Sequence, residues 1–224
     1  MACRYPGGVD SPEALWDLVR NRGVAFGPVP EKRGWENAEH YRGGFLHDVG
    51  VFDPLLFNMS PKDAVALDPQ QRILLELAWE SFERANLNPA ALNGSRTGCY
   101  VGITNSGYGP HVPGTSKNDA SVVSSTISTA SGRLSYAFGL QGPSVSIDTA
   151  CSSSLVTTHM AVQALRNGEC DLAISCGAAI MVHPTLFTDP IMAHTQSKTG
   201  AVKAFGQGAD GTVWGEGAGM LLLK

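Results

Sequence analysis

The feature that most constrains the fold is a strand that passes directly into a helix around Cys151. The pattern predicts the strand over 143–148 and a helix that continues to Asn167, with Gly168 placed to end it. No long loop separates the two elements, so we expect a tight turn between them. A strand followed so closely by a helix is typical of α/β domains, in which helices cover the faces of a layered sheet.

Two earlier segments carry signals for the start of a helix. Ser11 and Pro12 precede a short apolar pattern and predict a surface helix. Asp68 is placed as the N-cap of a second helix, with Pro69 at the first helical position and Gln71 as a capping-box residue. The apolar residues that follow recur at helical spacing, so we expect this helix to bury one face.

The remaining segments complete an alternation of strands and helices. Strands are predicted over 97–103, 172–178 and 217–223, and the first two read as short, buried apolar runs. Val122, Val123, Ile127 and Ala130 recur at near-helical spacing and predict a helix over 118–138, while 23–61 predicts a long irregular excursion. We therefore expect an α/β fold built on a layered sheet.

Charge and hydropathy exclude several classes of protein. The chain has 16 Lys and Arg against 20 Asp and Glu, which leaves a net charge of −4 without long runs of one sign. Such a surface does not favour binding to a phosphate backbone, so we expect no nucleic-acid partner. No apolar run approaches the roughly 18 residues needed to span a bilayer, and no charged and apolar leader follows Met1. We therefore expect a cytoplasmic protein without a membrane span.

The cysteine pattern indicates reduced thiols. Five cysteines, an odd number at scattered positions, do not suggest a disulfide framework, and none forms a CxxC pair. Cys170 and Cys176 are separated by about 20 Å if the segment between them is extended, which is too far to share one ion. We expect no metal site.

Cys151 lies where chemistry at a thiol is favoured. At a turn between a strand and a helix, unpaired backbone N–H groups and the positive helix end stabilise a thiolate, and the sulfur is presented above the sheet edge. The N–H of Cys151 itself can contribute to an oxyanion site. The alternative is a small buried hydrophobe, which is what most free cysteines are. Three serines follow at 152–154, poor helix formers that fit a site from which bulk is excluded, and they favour the nucleophile.

The sequence provides no convincing base for this cysteine. His159 lies on the predicted helix about 12 Å of rise beyond Cys151, so we expect it to be a packing residue. Asp148 is expected to satisfy nearby backbone donors rather than to act in catalysis. The other histidines lie in loop-like stretches and are expected at the surface: His40, His47, His111, His183 and His194.

The glycines of 215–219, which read GEGAG, have a structural interpretation. They lack the GxGxxG spacing and the following helix of a phosphate-binding loop. Packing glycines in a strand are favoured instead, and no nucleotide cofactor is inferred.

Residues 148–155 read DTACSSSL, which resembles the active-site signature of β-ketoacyl synthases in type I polyketide and fatty acid synthases. Further segments match landmarks of that family, in order, along nearly the whole chain. These are CRYPG at 3–7, RGW at 33–35, DPQQR at 68–72, GRLSY at 132–136, GECD at 168–171 and GEG at 215–217. The resemblance is to the modular polyketide synthase kind.

The resemblance implies a thiolase-like layered α-β-α fold, with 1–224 as the N-terminal half of one domain that is cut at both ends. It also implies an acyltransferase of polyketide or fatty acid biosynthesis, with Cys151 as its nucleophile. This cysteine would accept an acyl group from an acyl carrier protein, and a malonyl-type extender would lose carbon dioxide and attack it. The domain would bind no cofactor of its own, because the phosphopantetheine arrives on the carrier protein.

The same resemblance implies a homodimer formed through the ketosynthase domain. The two catalytic histidines and the active-site lysine of the family fall in motifs that would follow Lys224. We therefore expect the isolated chain to be inactive in condensation.

Two other functions remain open at this point. A non-condensing relative would hold carrier protein as a docking or chain-length subunit, but such relatives typically replace the cysteine that is present here as Cys151. An unrelated cysteine hydrolase is disfavoured because no histidine lies in a usable place.

Overall fold

The computed structural model describes residues 1–108 and 126–224. These residues form two compact units. The first contains Met1–Cys3, Gly50–Ala179 and Ala218–Lys224, and the second contains Arg4–Val49 and Ile180–Gly217. Across the described part of the chain, no helix has both the length and the apolar character required to cross a membrane.

Seven strands and seven α-helices are described. The strands are β1 (Ala2–Arg4), β2 (Gly27–Pro28), β3 (Arg42–Gly43), β4 (Thr97–Ile103), β5 (Ser144–Ile147), β6 (Leu172–Ala179) and β7 (Gly217–Leu223). The helices are α1 (Pro12–Arg20), α2 (Pro61–Ala66), α3 (Pro69–Arg84), α4 (Thr129–Phe138), α5 (Ser153–Arg166), α6 (Thr185–Thr188) and α7 (Pro190–Ala193).

A five-stranded sheet forms the centre of the first unit, in the order β1-β7-β6-β4-β5. Strand β4 is parallel to both of its neighbours: Cys99 is in register with Ser144 on one side and with Ile174 on the other. Parallel neighbours require crossover connections, which the intervening helices provide. The carboxyl ends of β4, β5 and β6 therefore meet at one edge of the sheet.

Helices cover both faces of this sheet. Alternate residues of a strand point to opposite faces. Tyr100 packs with Ala161 and Ala164 of α5, whereas Cys99 interacts with Ser135 of α4. Every residue of β4 is buried between these two layers. The predicted layered α-β-α arrangement is confirmed.

Two glycines let the start of α5 lie directly on the sheet. A Cβ atom on Gly102 would lie 2.8 Å from the carbonyl carbon of Ser153 and 2.8 Å from the nitrogen of Ser154. A Cβ atom on Gly177 of β6 would lie 2.9 Å from that of Ser154. Only hydrogen fits at these positions, so the first turn of α5 is held close to the carboxyl edge.

Most of the predicted elements agree with the structure. Ser11 caps α1, which buries none of its residues, and Asp68 caps α3 by accepting from the N–H of Gln70 at 2.7 Å. Helix α5 ends where Gly168 adopts a φ of 70°, as expected. The strand predicted over 217–223 is observed with the same bounds.

Two predictions need correction. The helix expected over 118–138 begins only at Thr129 in the described residues, and 118–125 lies outside them. The hydroxyl of Thr129 donates to the Thr126 carbonyl at 2.7 Å, so a local side-chain bond forms a turn where a helix was predicted. Gln71, expected to complete a capping box, donates to the Thr126 carbonyl at 3.3 Å and accepts from Arg133 at 3.0 Å, which ties α3 to α4.

The excursion predicted over 23–61 is largely irregular in the structure. Short 3₁₀ turns occur at Glu31–Arg33, Ala38–His40 and Leu55–Phe57. The two-residue strands β2 and β3 pair antiparallel within it and form a small second sheet.

A buried ion pair organises the second unit. The Arg33 guanidinium lies 2.5 Å from the Glu216 carboxylate, and the two side chains are 8% and 0% exposed. The carboxylate also accepts the backbone N–H groups of Leu46 at 2.8 Å and Met181 at 2.9 Å. Burial raises the pKa of Glu216, and Arg33 together with the two N–H groups opposes that rise. Three residues that are distant from Glu216 along the chain thus converge on this one carboxylate.

We predict that Glu216→Gln lowers the free energy of unfolding by about 3–5 kcal/mol, because the guanidinium of Arg33 would remain buried without its counter-charge. Urea denaturation followed by circular dichroism measures the loss. Asp48→Asn is the matched control, since the Lys32–Asp48 pair is 81% and 66% exposed and should contribute less than about 1 kcal/mol. Equal losses in the two variants would contradict the role given to the buried pair.

We also predict that Gly102→Ala costs about 1–3 kcal/mol of stability, because its new methyl group must displace the backbone of α5. Gly132→Ala is the matched control. Gly132 lies exposed within α4 with open space around it, so alanine should stabilise the helix by up to about 1 kcal/mol. The prediction fails if Gly102→Ala unfolds at the same urea concentration as the wild type.

Candidate active site

Cys151 lies in the turn between β5 and α5, two positions before the first residue of the helix. Its side chain is exposed, whereas Cys3, Cys99, Cys170 and Cys176 are all buried. The strand, turn and helix predicted from the sequence are therefore confirmed, and they place Cys151 beyond the carboxyl end of a parallel strand. In open α/β sheets this edge is where ligands bind.

Burial separates the other thiols from nucleophilic chemistry. It raises the pKa of Cys99 to about 12, and it also raises the pKa values of Cys170 and Cys176. A thiol must lose its proton to become a nucleophile, so these cysteines stay neutral at physiological pH. The described residues contain no group of three or more His, Cys, Asp and Glu that could hold a metal ion.

The residue before the cysteine has an unusual backbone. Ala150 has a φ of 54°, in the left-handed region that residues with a Cβ rarely adopt. Such a conformation costs on the order of 1–3 kcal/mol and persists only where the surroundings hold it. The carboxylate of Asp148 accepts the N–H of Ala150 at 2.9 Å, which agrees with the expectation that Asp148 satisfies a backbone donor.

Two serines complete the connections of the turn. The Ser153 hydroxyl accepts the N–H of Thr149 at 2.9 Å and donates to the carbonyl of Ala150 at 2.7 Å. The Ser152 hydroxyl donates to the carbonyl of Thr149 at 2.9 Å. These small residues satisfy the backbone of the turn while they keep it free of bulk, as the serine run predicted.

The helix that follows favours negative charge beside Cys151. Helix α5 has 14 residues, and the side chain of its N-cap residue, Ser152, makes no capping hydrogen bond. The partial positive charge of a helix N-terminus stabilises anions placed there. A thiolate on Cys151, or an oxyanion formed beside it, would experience this field.

His159 does not pack as predicted. Its side chain is exposed on α5, and Leu155, one turn earlier on the same face, is 75% exposed. The expectation was wrong because no other part of the described chain covers this face of the helix. His40, His47 and His194 are exposed as expected, His183 is partly buried, and His111 lies outside the described residues.

A second polar cluster lies at the same edge of the sheet and was not found from the sequence. The Asp68 carboxylate, 1% exposed, accepts the hydroxyl of Ser106 at 2.6 Å, and burial raises its pKa. Gln70 donates to the carbonyl of Thr104 at 3.0 Å. These bonds fasten the segment after β4 to the start of α3. Asp68 was recognised only as a cap, because its partner lies 38 positions away.

Tyr108 extends this cluster. Its hydroxyl accepts from Arg72 at 2.7 Å and donates to the Val65 carbonyl at 2.6 Å. The guanidinium carbon of Arg72 also lies 5.3 Å from the centre of the tyrosine ring. The segment that leaves β4 is thus tied to α2 and α3 as far as Tyr108.

The chain shares nearly half of its residues with known proteins. It is 48% identical over 239 aligned residues to the spectinabilin polyketide synthase system protein NorC of Streptomyces orinoci, covering 100% of this chain and 10% of that protein. It is 44% identical to erythronolide synthase EryA2 of Saccharopolyspora erythraea, covering 100% of this chain and 7% of that protein. The chain therefore spans a small part of the length of these relatives.

Solved structures agree with these sequence relatives. A ketosynthase from module 6 of the bacillaene synthase of Bacillus subtilis matches with a TM-score of 0.87 and 39% identity, over 100% of this chain and 38% of that one. An oxazolomycin ketosynthase domain of Streptomyces albus matches with a TM-score of 0.88 and 35% identity, over 100% of this chain and 41% of that one.

Sequence and fold thus lead to one family. The fold is the thiolase-like α/β fold predicted from the resemblance, and the chain corresponds to its N-terminal half. The model of the beta-ketoacyl synthase N-terminal domain matches residues 1–224, and the chain belongs to this family.

Proposed function

We propose that this chain carries the acyl-accepting site of a condensing ketosynthase, with Cys151 as the nucleophile. The observation that carries the proposal is the exposed thiol of Cys151 at the turn before α5, in a chain of the β-ketoacyl synthase family. The substrate is an acyl group held as a thioester on the phosphopantetheine of an acyl carrier protein. The domain itself uses no bound cofactor.

The first step is transfer of the acyl group. The Cys151 thiolate attacks the thioester carbonyl, the carbonyl oxygen becomes an oxyanion, and the phosphopantetheine thiolate leaves and takes up a proton. The N–H of Cys151 and the positive end of α5 are suited to stabilise the oxyanion.

The second step forms the carbon–carbon bond. A malonyl-type extender loses carbon dioxide, its carbanion attacks the acyl carbon, and the bond from that carbon to sulfur breaks to release the Cys151 thiolate. By the resemblance, the groups that activate the extender would lie in later motifs of the family.

Two alternative functions make different predictions for Cys151. A non-condensing docking or chain-length subunit has no need of an exposed thiol at this turn. A cysteine hydrolase would need a base beside the sulfur. His159, the histidine on α5, is exposed and lies well beyond Cys151 along the helix. The acyl-accepting function agrees best with both observations.

We predict that incubation with an acyl-N-acetylcysteamine thioester adds one acyl group to Cys151. Mass spectrometry of the intact chain, followed by peptide mapping, detects the adduct. The exposed thiol reacts because the helix end favours its thiolate, whereas the four buried thiols do not. Cys151→Ala should remove the adduct completely.

The other outcomes separate the alternatives. A folded chain that is alkylated at Cys151 but never acylated would favour the docking subunit. Rapid turnover of the thioester without an accumulating adduct would favour the hydrolase. An adduct that persists in Cys151→Ala would overturn the assignment of the nucleophile.

We further propose that two copies of the chain associate at the β5 edge of the sheet. Strand β5 is the last strand in the sheet order, and none of its four residues is fully buried. On the flanking helices, Tyr136 of α4 is 90% exposed and Leu155 of α5 is 75% exposed. A second copy would cover this apolar surface, which is consistent with the homodimer implied for the family.

Tyr136→Lys is predicted to shift the chain from dimer to monomer in sedimentation velocity, because a charge would be buried at the contact. Trp16→Lys is the matched control, since Trp16 is 64% exposed on α1 and should not affect the association. A wild-type chain that sediments as a monomer at high concentration would contradict the proposal.

A further inference from the structure

The two residues before Cys151 are held by side chains on both sides of the turn. Asp148 accepts the N–H of Ala150 at 2.9 Å, and Ser153 donates to the carbonyl of the same residue at 2.7 Å. Ser153 also accepts the N–H of Thr149 at 2.9 Å. The side chain of Asp148 therefore binds the N–H of Ala150, and the carbonyl of Ala150 accepts both the hydroxyl of Ser153 and, at 3.1 Å, its backbone N–H.

These bonds hold a conformation that alanine would not otherwise adopt. Ala150 has a φ of 54°, and a residue with a Cβ leaves the left-handed region readily unless the surroundings retain it. If Ala150 relaxed, the peptide between Ala150 and Cys151 would rotate. That rotation would change both the direction of the sulfur and the direction of the N–H of Cys151.

The two side chains that hold Ala150 differ in their surroundings: Ser153 is buried and Asp148 is exposed. Ser153 is 7% exposed and its backbone lies against Gly102 of β4, so its hydroxyl has little freedom to move. Asp148 is exposed at the end of β5, where water competes for its hydrogen bond. Ser153 therefore fixes the turn to the helix and sheet, while Asp148 completes the restraint from the strand.

We propose that Asp148 and Ser153 are positioning residues for acyl transfer: they hold Ala150 in its left-handed conformation and thereby orient the sulfur and the N–H of Cys151 towards one thioester carbonyl. This inference rests on the proposed function of Cys151. Neither residue exchanges a proton or forms a bond with the substrate. Their effect is geometric, and misplacement of a reacting atom by about 1 Å can cost on the order of 100-fold in rate.

The experiment compares two reactions of the same thiol in the full chain. Alkylation by iodoacetamide needs an accessible thiolate but no oriented oxyanion donor, whereas acylation by an acyl-N-acetylcysteamine thioester needs both. Rates at Cys151 are measured by mass spectrometry, and the melting temperature is recorded for each variant. The ratio of the acylation rate to the alkylation rate reports on positioning.

We expect Asp148→Ala and Ser153→Ala each to lower the acylation rate about 10- to 100-fold while the alkylation rate changes less than about 3-fold. Asp148→Asn should restore acylation to within about 3-fold of the wild type, because its amide oxygen still accepts the N–H of Ala150. Thr158→Ala is the matched control: its hydroxyl bonds to the Ser154 carbonyl and to Ser175, outside the turn, so the ratio should not change.

Several results would overturn the proposal. One is an acylation rate equal to that of the wild type in both alanine variants. Another is an equal fall in the acylation and alkylation rates. A third is an Asp148→Asn variant that is acylated as slowly as Asp148→Ala. If Ser153→Ala fails to fold, the comparison of Asp148→Ala with Asp148→Asn decides the question, because Asp148 is exposed. A wild-type chain that is alkylated but not acylated would instead refute the proposed function, so the two failures are distinguishable.

Discussion

The contact between the first turn of α5 and the sheet determines the geometry of the candidate site. Gly102 and Gly177 present hydrogen where any larger residue would meet the backbone of Ser153 or the side chain of Ser154. The helix therefore begins in contact with β4 and β6, at their carboxyl ends. Cys151 lies in the short connection between β5 and α5. Its position is therefore set by how closely the first turn of α5 approaches the sheet.

Small hydroxyl side chains make that close approach compatible with hydrogen bonding. Ser153 satisfies the turn while it is almost fully buried, and Thr158 bonds to Ser175 across the interface of α5 and β6 at 2.9 Å. On the opposite face, the N–H of Ser131 donates to Ser146 at 3.0 Å. Serine and threonine are weak helix formers, because their hydroxyls compete for the backbone. Here the hydrogen bonds of these hydroxyls join helix to strand, and the small side chains allow a closer approach than larger ones would.

The five cysteines show how burial decides which residues of one type can react. Cys99 and Cys176 lie within strands at the core, where desolvation opposes the thiolate. Cys151 lies at a strand end, exposed, and beside the N-terminus of a 14-residue helix. Only this position combines access for a thioester with a field that favours negative charge.

The sequence by itself determined the strand, turn and helix around Cys151, because capping residues, apolar runs and the terminating Gly168 act over a few positions along the chain. It also identified the family, since short segments such as 148–155 keep their residues and their order. It indicated that Asp148 would satisfy a backbone donor, a contact two positions away that local spacing can predict.

Only the tertiary structure decided the contacts between distant segments. Ser106 meets Asp68 from 38 positions away, and Arg33 meets Glu216 from 183 positions away. Neither pair has a local pattern, because the partners are brought together by burial of the surrounding apolar residues. The exposure of His159 likewise depended on what covers its helix face, and the left-handed Ala150 depended on a bond from Ser153 in the next element. Spacing along the chain predicts which residues share a face, whereas packing decides what that face meets.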